Sequence, residues 1–299
     1  FDILAHHRSS QKAAISTAEQ LPARRPSEHG YGPHVVARHF DQLISTAARA
    51  NGNDAFFNGG GGDNVFCFST SAAPIADLLL SRAPLGKIAS GIHDVRRLTN
   101  STTAAVLANL VRRLREPPEI KWGYDFTFVR EPGVRPDDTV HPWLSAAADT
   151  LPGKKRHIRL LAKAQSYGEG LARQRNHPLV LPLLSTPIVE ACLRIPTWEW
   201  INGGRDRAVA RRAFSHMLPL EIRDRRSKAG LSSLFSRIFV KNRSHIREVL
   251  LDGRLAGAGL LDRVEIDVAT RTDIPPTGLH HYRVIELLEA EYWVQRLQL

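Results

Sequence analysis

The chain has 299 residues, 42% of them hydrophobic and 24% charged, enough to bury a sizeable core in one large domain or two smaller ones. No run approaches the roughly 20 consecutive apolar residues that cross a bilayer, and Phe1 opens no secretory signal, so a cytoplasmic protein with no membrane partner is expected. Forty-one Lys and Arg against thirty Asp and Glu leave a net charge of +11, which favours phosphate-rich or acidic partners. The arginine pairs Arg96-Arg97, Arg112-Arg113, Arg211-Arg212 and Arg225-Arg226 are scattered and lack aromatic interleaving, which argues for solvated helix faces and against nucleic acid.

In chain order, the first 34 residues specify no chemistry. His6 and His7 are adjacent and would diverge on a helix, and residues 21–34 read as Pro/Gly-punctuated loop. Val36, Phe40, Leu43, Ile44 and Ala47 recur at helical spacing and predict an amphipathic helix over 35–50. After the turn Asn51-Gly52-Asn53, a short apolar strand over 54–57 runs straight into Asn58-Gly59-Gly60-Gly61-Gly62-Asp63-Asn64. Helical periodicity then predicts helices over 104–114, 158–172, 187–194, 206–217, 234–251 and 282–297. Residues 116–152, rich in Pro, Gly and Asp around Trp122, Phe126, Phe128 and Trp143, read as an irregular connector or insertion within a single domain spanning 1–299. Cys67 and Cys192 stand in apolar surroundings without metal-ligand spacing and read as buried small hydrophobes.

The strand followed by four glycines and an aspartate is the most informative segment. Residues without Cβ let backbone N–H groups approach a ligand, as a phosphate cradle requires, and a carboxylate at the edge suits Mg²⁺. From glycine content alone a flexible turn between strand and helix is the plainer reading, because neither the Walker pattern nor the dinucleotide fingerprint is present.

Gly59-Gly60-Gly61-Gly62-Asp63-Asn64-Val65-Phe66 resembles, position for position, the glycine-rich loop of the asparagine synthetase family, Gly-x-Gly-(Gly/Ser)-Asp-(Glu/x)-x-Phe. The segment from His177 to Glu190, with Pro182-Leu183-Leu184-Ser185 at its centre, is similar to the family's Glu-x-Arg-x-Pro-(Phe/Leu)-Leu-Asp. There Ser185 or Thr186 is expected to cap the following helix, with Pro187 in its first turn. Leu218-Pro219-Leu220-Glu221-Ile222, followed by Arg226-Ser227-Lys228-Ala229-Gly230, resembles the family's Leu-Pro-x-x-(Ile/Val) and Arg-x-Lys-x-Gly-(Phe/Leu). The three motifs come in family order and the resemblance covers residues 35–247.

The resemblance implies ATP and Mg²⁺ as cofactors, with Gly59, Gly60, Gly61, Gly62 and Asp63 binding the nucleotide and Asp63 holding the metal at its pyrophosphate. It implies that the catalytic Lys228 stabilises charge developing on the α-phosphate and at the acyl-adenylate. It implies a helix-dominated α/β fold, the C-terminal part of an adenine-nucleotide hydrolase-like (PP-loop ATP pyrophosphatase) fold with a small parallel-sheet remnant and sheet content below ordinary proportions.

The family's other loop, Ser-Gly-Gly-x-Asp-Ser, and its glutaminase domain occur nowhere here, so a fragment is expected, with that loop before Phe1. Asp63-Asn64-Val65-Phe66-Cys67-Phe68 and Pro182-Leu183-Leu184-Ser185 look more like the lasso-peptide macrolactam cyclases than like true asparagine synthetases. That likeness implies a peptide carboxylate substrate, or else a small-molecule one, and a leader-peptide or protease partner. A glutamine-hydrolysing asparagine synthase fragment and a non-catalytic binding module are the alternatives.

Overall fold

The computed structural model describes residues 35–116, 125–130, 149–166, 174, 177–225, 232–271 and 280–296. Among them helices dominate. The sheet is two strands, β1 (Phe56–Phe57) and β2 (Leu179–Val180), which run parallel with Phe56 opposite Leu179 and Phe57 opposite Val180. This is the helix-dominated α/β architecture with a parallel remnant that the sequence predicts. No helix of the described residues is long and apolar enough to cross a membrane.

Helix α1 (Val35–Ala50) leads through the Asn51-Gly52 turn into β1. Leu43 and Ile44, expected on its covered face, are exposed, while Asp41 and Ala48 are buried. A short α2 (Gly62–Val65) follows the glycines, and α3 (Ala73–Leu80), α4 (Leu85–Thr99) and α5 (Thr103–Leu114) come next. α3 is buried on all sides from Ala73 to Leu78 and packs against α4 and α5. With Ile201 these helices enclose one core of Ala72, Ile75, Ala76, Val95, Val106 and Leu110.

Helix α6 (Pro152–Ser166) crosses the other side of α3 and lies under α2. It begins six residues before the predicted start, at Pro152, because Asp77 of α3 accepts the Gly153 N–H at 2.6 Å and anchors the first turn. Buried Thr197 donates to the other oxygen of Asp77 at 2.5 Å, so burial raises that carboxyl's pKa while both bonds oppose the rise. Lys154 donates to the carbonyls of Leu193 and Ile195 at 2.6 and 2.8 Å, tying α6 to the end of α7 (Thr186–Arg194).

The remaining helices are α8 (Ala208–Ala213), α9 (Leu220–Arg223), α10 (Ser232–Leu251, kinked at Asn242), α11 (Arg254–Gly257), α12 (Arg263–Thr270) and α13 (His280–Arg296). α10, α12 and α13 enclose the largest core, which includes Phe239, Ile246, Leu250, Ile266, Ile285 and Leu288. Asp262 caps α12 through the N–H groups of Val264 and Glu265. Buried Glu291 of α13 accepts the N–H groups of Arg254 and Leu255 at 2.8 and 2.9 Å, satisfying the first turn of α11. One described part of the predicted connector, residues 125–130, docks here: Val129 bridges Leu261, and Phe128 enters the core.

Candidate functional site

The site is built on the carboxyl end of the parallel pair. The Phe56 N–H donates to the Pro178 carbonyl at 2.9 Å and the Asn58 N–H to the Val180 carbonyl at 3.0 Å. The glycines therefore leave β1 directly beside the start of the Pro-Leu-Leu segment. Asn58 Oδ1 accepts the Gly60 N–H at 2.8 Å and closes the first bend. Gly61 has φ of 81°, in the left-handed region that glycine adopts without strain, and serves as the entry to α2.

The loop then lies against the 3₁₀ turn Pro182–Leu184. A Cβ built on Gly61 would stand 2.5 Å from two carbons of Leu184, one on Gly62 3.0 Å from Leu183, and one on Gly60 3.1 Å from Leu181. Gly61 is thus required by its close approach to Leu184 and its left-handed backbone, while a Cβ on Gly60 or Gly62 would press only on the outer carbons of Leu181 and Leu183. Gly59 has nothing within 4 Å of the same position and is exposed. Among the described residues no acceptor takes the N–H of Gly59 or of Gly61. Two segments far apart in the chain, each singled out by its sequence, meet in one place.

The capping expected at α7 takes a different form. Ser185 occupies the N-cap with extended backbone but makes no side-chain cap bond, and its carbonyl accepts the first helical N–H, from Val189 at 3.0 Å. Pro187 stands in the first turn as expected and has no N–H to be capped. The exposed Ser185 hydroxyl is left to solvent.

Asp63, on α2, has a side chain about one-third exposed, at 34%, and it forms an ion pair with Arg207. Arg207 was not legible as a site residue. It precedes α8 with φ of 52°, a left-handed conformation unusual for a side-chain-bearing residue. Its guanidinium also lies 5.4 Å from the centre of the Phe68 ring and donates from Nε to Asp206 at 3.2 Å. Asp206 in turn accepts from Arg211 Nη2 at 3.1 Å, and Arg211 Nη1 donates to the Arg223 carbonyl at 2.8 Å. The next residue, Asp224, is held below the usual carboxylate range by hydrogen bonds from Arg223 and then Arg205. The network therefore runs from the glycine loop to the residues just before Lys228. Lys228 itself lies outside the described residues.

Beneath the loop sits a small apolar cluster of Val65, Cys67, Leu161, Val189, Cys192 and Trp200. Both cysteines are free and buried, as their surroundings imply, and burial pushes the Cys67 thiol up to about 12. Such a thiol carries no thiolate at neutral pH and acts as a hydrophobe. His157 of α6 is completely buried and donates from Nε2 to the Val65 carbonyl at 2.9 Å. Burial pushes its pKa down to about 4, so it is a neutral strut. Asn64 donates to the Leu160 carbonyl at 2.6 Å, a second strut between α2 and α6.

Among the described residues no group of three His, Cys, Asp or Glu side chains could enclose a metal on its own. The donor set suits a different arrangement. Mg²⁺ keeps much of its water and is held by one or two carboxylates together with substrate phosphates. A single part-exposed carboxylate beside a loop with two free N–H groups fits that chemistry.

The family model for asparagine synthase matches residues 37–295. The chain belongs to the asparagine synthase family. No curated protein and no solved structure matches it. Members of the asparagine synthase family are ATP-dependent synthetases that bind ATP, generally with Mg²⁺. The matched span contains every element that builds the glycine-loop corner, from β1 to α9.

Proposed function

We propose that this asparagine synthase family protein activates a carboxylate as its acyl-adenylate and passes the acyl group to an amine, with a peptide side chain as the carboxylate and macrolactam closure as the result. The carrying observation is the contact between the glycine loop and the Pro182–Leu184 turn at the end of the parallel pair, with Asp63 and Arg207 at its rim. In the first step a carboxylate oxygen attacks the α-phosphorus and the bond to pyrophosphate breaks. In the second an amine attacks the acyl carbon, AMP leaves, and the amine loses a proton.

The Gly59 and Gly61 N–H groups are donors for phosphate oxygens. Asp63 is the candidate for holding Mg²⁺, which when bound supplies charge neutralisation at the pyrophosphate. Lys228, by its motif, would meet the charge that develops at the reacting phosphorus.

The peptide reading rests on sequence departures from true asparagine synthetases. Asn64, where those enzymes usually carry Glu, spends its amide on the Leu160 carbonyl. The net charge of +11 suits a nucleotide and an acidic peptide equally. A leader-peptide or protease partner and a cytoplasmic setting belong to the same proposal.

Pyrophosphate release from Mg·ATP by the full-length protein tests it, comparing a peptide bearing Asp or Glu with free aspartate, and with Asp63→Asn and Lys228→Ala as controls. Peptide-dependent release abolished by both substitutions is expected. Release with aspartate alone would replace the cyclase reading with asparagine synthesis, and none with either substrate would leave a non-catalytic module.

A further inference from the structure

A cluster of like charge lies outside the glycine-loop corner and takes no part in its support. Arg113, in the last turn of α5, and Arg156 and Arg159 of α6 bring three guanidiniums together. Arg156 and Arg159 are three residues apart and so share one face of the helix. Burial, then the charges of Arg159 and Arg113, lower Arg156 from the usual arginine range, and the Glu116 carboxylate acts against them. Like charges so placed repel unless anions lie among them.

The hydrogen-bonding atoms point the same way. Nε of Arg113 and Nε of Arg156 are both buried and meet no acceptor, and among the described residues no carboxylate pairs with Arg156 or Arg159. A buried charged donor without an acceptor is costly, which makes each of these atoms available to a ligand. Glu116 meets Arg113 through Nη1 alone and is itself 43% exposed. Arg113 has a side chain only 15% exposed, whereas its neighbours Arg112 and Arg115 face solvent. The basic end of α5 therefore divides into solvated arginines and one turned inward to meet α6. Arg156 adjoins His157 and Arg159 adjoins Leu160, the two residues through which α6 supports α2, so the cluster is fixed to the same rigid element as the loop.

We propose that Arg113, Arg156 and Arg159 form an oxyanion site, separate from the glycine loop, that takes the carboxylates of an acidic peptide segment. The inference rests on the peptide-substrate reading and gives that substrate a second anchor, away from the carboxylate to be activated. Glu116 shows the kind of group the cluster accepts, since a carboxylate already meets Arg113. A guanidinium edge of Nε and Nη matches the two oxygens of a carboxylate in one plane. A phosphate dianion would bring twice the charge up to Glu116 and gain less. Because the anchor holds the substrate equally in ground and transition states, its loss raises KM and leaves kcat unchanged.

Calorimetric titration of the full chain with a short peptide carrying a Glu-Glu pair, with its Gln-Gln counterpart and with inorganic phosphate tests the assignment. The Glu-Glu peptide should bind, and Arg156→Gln or Arg159→Gln should weaken it about ten- to a hundredfold, the range for a charged hydrogen bond. Arg156→Lys, which keeps the charge without the fork, should recover part of that affinity. Arg112→Gln and Arg115→Gln remove the same charge from exposed positions and should change nothing. Equal loss from Arg112→Gln would reduce the effect to net charge and overturn the site, as would equal binding of the two peptides. Binding of phosphate without binding of the peptide would overturn the peptide as occupant. In peptide-dependent pyrophosphate release, a raised KM with unchanged kcat in Arg159→Gln supports the anchor, and an unchanged KM removes it while the peptide-substrate reading stands. If no peptide supports release, that reading falls and the anchor with it, even where the peptide binds.

Discussion

Gly61 meets two demands at once: a left-handed φ of 81° and a neighbour, Leu184, that leaves no room for a Cβ. Gly61→Ala should therefore destabilise by about 3 kcal/mol, the left-handed penalty plus the cost of forcing a methyl against a packed leucine. Gly59→Ala meets nothing within 4 Å and should stay within about 0.5 kcal/mol of the parent. Urea denaturation of the two variants would check this, and equal destabilisation would mean that the loop is not held against the turn as described. At this scale the sequence shows which residues matter locally better than it shows whom they meet. The glycines and Asp63 stand out as a run, but nothing in the run announces the leucines of residues 181–184. Arg207 was invisible for a similar reason. It lies 144 residues from Asp63 in an unremarkable run of alternating charges, Arg205-Asp206-Arg207, and only tertiary packing brings the two together.

Helix α6 is the element on which the site stands. It is fixed at its start by Asp77, at Lys154 by the carbonyls ending α7, and at His157 and Leu160 by bonds to α2. His157 makes this support pH-sensitive. Its pKa in the fold is about 4 against 6.5 for the unperturbed group, with burial the largest cause. The unfolded chain therefore binds the proton first, and stability falls as pH drops from about 6.5 towards 4, by at most roughly 1.4 kcal/mol per pH unit for this one group. His157→Gln should remove that component, so the difference in unfolding free energy between the two proteins should narrow as pH falls through this window. A constant difference would mean that His157 does not titrate between the two states. The predicted start of α6 at 158 missed this anchor, since Pro152 and Gly153 read as loop without knowledge that Asp77 waits for the Gly153 N–H. α3 was missed because all of Ala73 to Leu78 is buried, which erases the one-sided apolar pattern that reveals a helix. By contrast α5, α7, α10 and α13 lie within two residues of their predicted bounds, because each has one face in a core and one in water.

Across the molecule, the described residues divide their apolar burial unevenly among three cores. The cluster of α10, α12 and α13 contains fourteen buried residues, whereas the one beneath the glycine loop contains six, so less burial opposes opening at the site than at the carboxyl-terminal helices. Polar satisfaction points the same way: Glu291 and Asp262 cap helices that close the large core, while Ser185 leaves α7 without a side-chain cap. The sheet adds little, being two residues per strand with Phe57 77% exposed, and a pair so short has no independent stability. What holds the glycine loop is therefore the leucine contact on one side, the struts from α6 beneath it, and the Asp63–Arg207 pair at its rim. Amide hydrogen exchange under native conditions should resolve this order, with the slowest amides in α10 and α13 opening only with the whole fold. Amides of Val65 to Phe68 should exchange faster by sub-global opening, and faster still in Asp63→Asn. Equal protection of both regions would mean that the three cores open as one cooperative unit, and the site would then draw on the stability of the entire molecule.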